Sequence, residues 1–264
     1  MAVSAKDVAA LRKATGAGMM DVKRALEDAG GDMERDAQVL REKGKAGAAK
    51  RDDRENTQGA VTLIIEDGRI GTIVELKCET DFVAKSPDFV ATLDRIATAV
   101  IEKGVEAAGT FQEQLDELRA TLKEKIEVGQ VVRYEAAEGA IVDGYLHTQS
   151  DRGVNAVLIE VAGGDRELAH NVAVHIGFAK PRYVSRDEVP AEQVANERET
   201  LETISRNEGK PEAQIPKIVE GRLRAFYEQL CLLDQAYVRD EKVTIEKLLG
   251  TAKVTRFSQV LIGA

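Results

Sequence analysis

Ala60-Val61-Thr62-Leu63-Ile64-Ile65-Glu66-Asp67-Gly68-Arg69-Ile70-Gly71-Thr72-Ile73-Val74-Glu75-Leu76 decides the fold. Two runs rich in β-branched residues flank Asp67-Gly68, a dipeptide that supplies the positive backbone angles of a tight hairpin turn. A similar order returns downstream. Ala140 to His147 reads as a strand, Asp151-Arg152-Gly153 as its turn and Asn155 to Val161 as the return strand. Each hairpin is followed by helical periodicity. Ser86-Pro87 opens one helix to about Lys103, because proline suits the first helical turn. Thr110 is expected to cap a second helix carrying Leu115, Leu118, Leu122 and Ile126, with a strand at Val131 to Glu135, and Arg166 to Phe178 is helical in the second half. Strand, turn, strand and helix, twice over, predict an α+β protein whose core has two related halves, each with helices on an antiparallel sheet.

Outward from this core, residues 1–43 read as three short helices. Ser4 and Asp7 have capping-box spacing, and Val8 and Leu11 begin an apolar stripe. Met20 to Ala29 follows, stopped by Gly30-Gly31, and Asp32 caps a third helix ended by Gly44. Such a module has a marginal core of its own and reads as a binding element attached to something larger. Residues 44–58 read as a linker. From Asp187 to about Gln229 two charged helices are interrupted by Gly209-Lys210-Pro211, which predicts an antiparallel helical hairpin. Val194, Leu201 and Ile204 are expected to face Ile215, Ile218, Val219 and Leu223 across it. A short helix (Thr244 to Leu249) and a strand (Val254 to Ile262) close the chain.

Composition narrows the function. The 264 residues carry 37 Lys and Arg against 46 Asp and Glu, a net charge of −9. An acidic body repels phosphate backbones, and aromatic residues at 4% with no Trp leave few stacking platforms for bases. Nucleic-acid binding is therefore not expected. Cys78 and Cys231 stand far apart in sequence, so neither a disulfide framework nor a zinc site is expected. No apolar run reaches the ~18 residues of a membrane span, and Lys6 and Asp7 precede any hydrophobic stretch. A cytoplasmic protein with no metal, no cofactor and no membrane contact is the expectation. No phosphate loop, dinucleotide fingerprint or nucleophile elbow is present, and His170 and His175 project about 140° apart on a helix, unlike a zinc-binding pair. An enzyme is not expected.

Three features stand out, each with a plain alternative. Met19-Met20 beside two glycines is either partly core or a soft contact for a partner helix, with Arg12 and Lys23 as its polar rim. Phe82, in Cys78-Glu79-Thr80-Asp81-Phe82-Val83-Ala84, is either tucked under a turn capped by Thr80 or Asp81, or a rigid wedge for a partner's apolar pocket. His147 ends a strand ahead of a polar turn, where the plain reading is a solvated loop histidine. His170 and His175 are expected partly buried and hydrogen-bonded.

Leu11-Arg12-Lys13-Ala14-Thr15-Gly16-Ala17-Gly18-Met19-Met20-Asp21-Val22-Lys23-Arg24-Ala25-Leu26 resembles the N-terminal signature of the bacterial translation elongation factor Ts family. Glu79-Thr80-Asp81-Phe82-Val83-Ala84 resembles its second signature. Ala169 to Ile176 with Pro181, and Gly209-Lys210-Pro211 through Arg222, match further, so the resemblance spans nearly the whole chain. It implies a guanine-nucleotide exchange factor of elongation factor Tu, in GDP-bound and nucleotide-free states, without covalent chemistry of its own. It implies an N-terminal three-helix ubiquitin-associated-like domain with linker (1–54), an N-terminal core half (55–140) and a C-terminal core half (141–264) carrying the hairpin at about 187–229. Carried over, Thr80, Asp81, Phe82 and Val83 belong to the loop that intrudes near the partner's magnesium and nucleotide. Arg12, Met19, Met20, Lys23 and His147 are the other implied partner contacts. Whether the complex is 1:1 or 2:2 stays open. Lys77 stands where the family usually has Asn, Ile126-Glu127-Val128-Gly129-Gln130 departs from the usual Ile-Gly-Glu-Asn, and the longer C-terminal helical extension of some members is missing.

Overall fold

The hairpin closes where its turn chemistry requires. In the computed structural model, which describes all residues except 1–3, 16, 29–34, 41–50, 52 and 264, Asp67 and Gly68 both take positive φ, 51° and 69°. They join β1 (Gln58–Glu66) to β2 (Ile70–Cys78), and β3 (Glu127–Glu135) pairs on the far side of β2 to give an antiparallel sheet in the order β1-β2-β3. The second sheet repeats the plan with β4 (Ala140–Gln149), β5 (Arg152–Ala162) and a strand from the chain's end, Lys253–Leu261, in that spatial order. The chain is α+β, as the sequence predicts.

Helices cover the sheets because their apolar stripes have nowhere else to go. Among the described residues, α1 (Ala5–Thr15) and α2 (Met19–Asp28) pack around Leu11, Val22, Ala25 and Leu26, and residues 35–40 add helical chain with Leu40. Ser4 opens α1 as its spacing predicts, accepting from Asp7 N–H at 3.1 Å and donating to the Asp7 carboxylate at 2.6 Å. The Asp32 cap, the stops at Gly30-Gly31 and Gly44, and most of the linker lie outside the described residues. A one-turn helix, α3 (Asp81–Ala84), follows β2, then α4 (Pro87–Lys103) lays Phe89, Leu93, Ile96 and Val100 on Val74 and Leu76 of the first sheet. In the second half α6 (Arg166–Ala179), capped by Asp165, packs Val172 and Ile176 on Val157 and Ile159. The two sheets meet through Val61 and Ile73 on one side and Val142, Ala156 and Leu158 on the other. That junction fixes one half of the core on the other.

Several boundaries differ from the sequence reading. The helix expected from Thr110 to Ile126 is a 3-10 stretch, Val105–Phe111, followed by α5 (Gln112–Leu122). Thr110 donates back to Ala107 O at 2.7 Å and does not cap it. Lys123 takes left-handed geometry, φ 60°, and ends α5 four residues before β3 begins, so Ile126 packs as core outside any helix. β3 starts at Glu127, earlier than Val131, and the turn of the second hairpin is Ser150-Asp151, with Arg152 and Gly153 already in β5. The helical hairpin is α7 (Ala191–Asn207) and α8 (Ile215–Leu230), joined by a short connection with Gly209 at φ 72°. Its core is Leu201, Ile215, Val219 and Leu223 with Val194 against it, whereas Ile204 lies exposed on the outer side. A small two-stranded sheet, Ala236–Tyr237 with Asp240–Thr244, had no periodic signal to announce it. The expected last helix is present as α9 (Ile245–Leu249), with Thr244 as its N-cap and not its first residue.

Candidate functional site

β2 ends at Cys78, and the next turn is built by short polar bonds. Thr80 is the N-cap of α3, its hydroxyl oxygen accepting from Val83 N–H at 3.3 Å. The Cys78 thiol donates to Thr80 O at 3.1 Å, and burial pushes that thiol up to about 12, which makes it inert at neutral pH. α3 turns Ala84 into the core and leaves Val83 half-buried against it. One turn of helix cannot bury its whole circumference, so Phe82 points away and is 81% exposed. Of the two readings of Phe82, the tucked one is excluded. Asp81 accepts from Lys85 Nζ at 2.6 Å, and that bond holds its carboxyl below the usual carboxylate range.

A residue that sequence reasoning passed over grips this loop from 44 positions away. Glu124 Oε2 accepts from Glu79 N–H at 2.9 Å and from Thr80 N–H at 3.0 Å, while its Oε1 accepts the Thr80 hydroxyl at 2.6 Å. Glu79 answers by accepting from Lys125 N–H at 2.7 Å. No local pattern signals such a pairing, because it depends on where α5 stops.

The N-terminal residues singled out by sequence do come together. Arg12, Met19, Met20 and Lys23 line one groove of about 640 Å³ along α1 and α2, with Val8 and Ala9 in its floor. Met19 is 57% and Met20 64% exposed, so neither is core. The pair therefore presents two adaptable thioethers to solvent along the groove. Asp21, just beyond them, accepts from Lys123 Nζ at 2.8 Å, beside the residue that grips the Phe82 loop.

His147 lies exposed on β4, with the Tyr145 hydroxyl 3.2 Å from its Nδ1. Tyr145 also stacks on Phe178, centroids 6.5 Å apart, and Phe178 is exposed. Phe178 was legible: two residues past buried Ile176, it falls ~200° around the helix from the apolar stripe. The two helix histidines separate. His175 is fully buried, its Nε2 2.9 Å from Gln235 Oε1 and its Nδ1 accepting from Val238 N–H at 3.3 Å. His170 is exposed instead, 3.6 Å from Asp143, because it projects to the outer face of α6. Nothing at either gathers a nucleophile. Among the described residues no three His, Cys, Asp or Glu side chains cluster as metal ligands, and no helix is long and apolar enough to cross a membrane. What the arrangement offers is contact: an exposed aromatic on a tightly bonded turn and a Met-lined groove.

Residues 79–264 match the family model described as Elongation factor TS. The chain is 44% identical over 276 residues to the elongation factor Ts of Leifsonia xyli subsp. xyli, covering 99% of both chains. It is also 44% identical to that of Streptomyces griseus subsp. griseus over 98% of each, and 43% identical to that of Kineococcus radiotolerans over all of this chain and 99% of the relative.

Proposed function

The chain belongs to the elongation factor Ts family, and from that premise we propose that it promotes GDP release and GTP exchange on elongation factor Tu by inserting the Asp81-Phe82 loop beside the partner's magnesium and nucleotide site. The observation that carries this reading is Phe82 itself, 81% exposed on a turn tied down by capping, ion pairing and the Glu124 carboxylate. A phenyl ring on a turn already tied down leaves little backbone to order when a partner covers it, and full burial stabilises by about 1.5–3 kcal/mol.

Exchange needs no covalent step. A factor that binds the nucleotide-free GTPase more tightly than the nucleotide-bound form weakens nucleotide affinity by the same factor. Phe82 supplies this difference if its pocket opens only when the ligands of magnesium and phosphate move apart. Thr80 and Val83 set the turn that aims the ring, and Asp81, ionised through its Lys85 pair, brings negative charge toward the cation. The groove lined by Arg12, Met19, Met20 and Lys23 docks the N-terminal module (1–54) on the partner's GTPase domain. His147 of the C-terminal core half (141–264) adds a contact to that same domain, alongside the half (55–140) that carries the wedge.

Release of a fluorescent GDP analogue from elongation factor Tu, with and without catalytic amounts of this chain, tests the reading. Acceleration by orders of magnitude is expected. Phe82→Ala is expected to forfeit about 2 kcal/mol of coupling, roughly thirtyfold in release rate. A variant as fast as the parent would overturn the wedge.

A further inference from the structure

We propose that Glu124 is the positioning residue of the exchange loop, holding the backbone before Phe82 in the one orientation that presents the ring; the proposal rests on the exchange-factor reading. Three donors converge on this one carboxylate: the N–H groups of Glu79 and Thr80 on Oε2, and the Thr80 hydroxyl on Oε1. Only an acceptor with two oxygens and no proton of its own meets three donors at once, and bonds to an ionised acceptor are the stronger kind.

The bond to the hydroxyl also decides what Thr80 does next. With its proton committed to Glu124, the Thr80 oxygen is left to accept from Val83 N–H, the cap that starts α3. Glu124, Thr80 and Val83 therefore form a relay that ends one residue past Phe82. The second tie, Lys125 N–H to Glu79 Oε1, runs the opposite way across the same two segments. Without the carboxylate, two consecutive N–H groups and a hydroxyl turn to water, and the turn loses its direction while Val83 and Ala84 keep their places in the core.

Glu124 is itself placed by the end of α5. Lys123 reverses the chain in left-handed geometry, and Arg119 Nε donates to Ile126 O at 2.6 Å, closing the bend that aims residue 124 at the loop. This bend departs from the helix the sequence predicts, so the grip exists only because α5 stops short.

The test uses the full chain and elongation factor Tu. Glu124→Ala is expected to lower the maximal GDP-release rate about tenfold at saturating factor while leaving the half-saturating concentration near the parent value. Glu124→Gln, which keeps an amide oxygen for the N–H donors, is expected to recover part of that loss. Glu124→Ala with Phe82→Ala is expected to be no slower than Phe82→Ala alone, because Glu124 acts through the ring. In the factor by itself, amide hydrogen exchange at Glu79, Thr80 and Val83 is expected to speed up at least tenfold, with Val74 and Leu76 unchanged. Parent-like release by Glu124→Ala, a double variant slower than Phe82→Ala, or unchanged loop exchange each overturns the proposal. Parent-like release by Phe82→Ala would instead remove the wedge reading, and the amide exchange would still decide whether Glu124 holds the loop.

Discussion

Gly153→Ala tests how the two halves of the core are locked together. A Cβ at this position on β5 would stand 2.0 Å from Val61 O and 3.1 Å from Val61 C on β1, and 2.9 Å from a Leu146 methyl. The backbone conformation of Gly153 is open to any residue, so the cost is purely one of space. The obstacle is another strand's carbonyl, which no rotamer change can remove. Ordinary contact begins at 3.4 Å, so β1 and β5 must part by about 1.4 Å, the difference between 3.4 and 2.0. That movement strains the Arg152 guanidinium, which donates to Gly59 O and to Gln58 Oε1, and loosens Val61 against Ala156 and Leu158. Overpacking that cannot relax sits at the top of its range, about 3 kcal/mol, and in a chain of this size lowers the melting temperature by roughly 6–12 °C. Thermal and urea unfolding followed by circular dichroism measure it. Gly221→Ala, in the exposed interior of α8 with nothing near its Cβ, is the control and is expected to stabilise by about 0.5–1 kcal/mol. A loss under ~1 kcal/mol for Gly153→Ala would refute the claim that this close approach defines the junction.

Burial lowers the His175 pKa from its ordinary 6.5. The neutral ring accepts from Val238 and donates to Gln235, and protonation of Nδ1 would set two donors against each other. The folded state resists the proton that the unfolded state takes, so stability is full above pH 6.5 and falls as pH drops below it. Urea unfolding at pH 7.5 and 5.5 should show the loss, and His175→Gln should flatten it; equal pH dependence in both proteins would contradict the assignment. Replacing Met19 and Met20 together by Ser is expected to leave the melting temperature unchanged, since both are exposed. It should weaken binding to elongation factor Tu about tenfold. An unaltered dissociation constant would remove the groove from the interface.

Legibility in the sequence follows the range of the interactions involved. Asp67-Gly68, the Ser4 cap and Pro87 at the start of α4 each act within a few residues, and each is where the spacing puts it. Residues 105–126 fail for the converse reason. Leu115, Leu118, Leu122 and Ile126 keep helical spacing, yet Ile126 is buried by the first sheet's core and Lys123 turns the chain before it. Tertiary burial and helical periodicity ask for the same apolar residue there, and only the fold distinguishes them. The site divides likewise. The local motif offered Thr80 or Asp81 as a cap, of which Thr80 is the one used, and left Phe82 open between core and wedge, because exposure depends on how Val83 and Ala84 pack beneath it.

The Phe82 turn and the contact of α2 with the core are held by bonds of unlike character. Lys123 Nζ and Asp21, 2.8 Å apart with both side chains about half exposed (56% and 48%), bridge α2 to the core. An ion pair so open to solvent contributes at most about 1 kcal/mol and weakens further with salt. The Phe82 loop, by contrast, places a carboxylate on two consecutive N–H groups and a hydroxyl, and adds a cap and an ion pair within seven residues. On the proposed function this asymmetry is what exchange requires. A docking module gains from adjusting to whichever nucleotide state it meets, since uniform binding to both states leaves the nucleotide equilibrium where it was. The wedge shifts that equilibrium only by the difference it feels between the two states, and a ring free to swing aside would follow the closed pocket and lose that difference. On that function, a firmly bonded turn beneath Phe82 sustains the coupling, and the groove at Met19-Met20 contributes affinity.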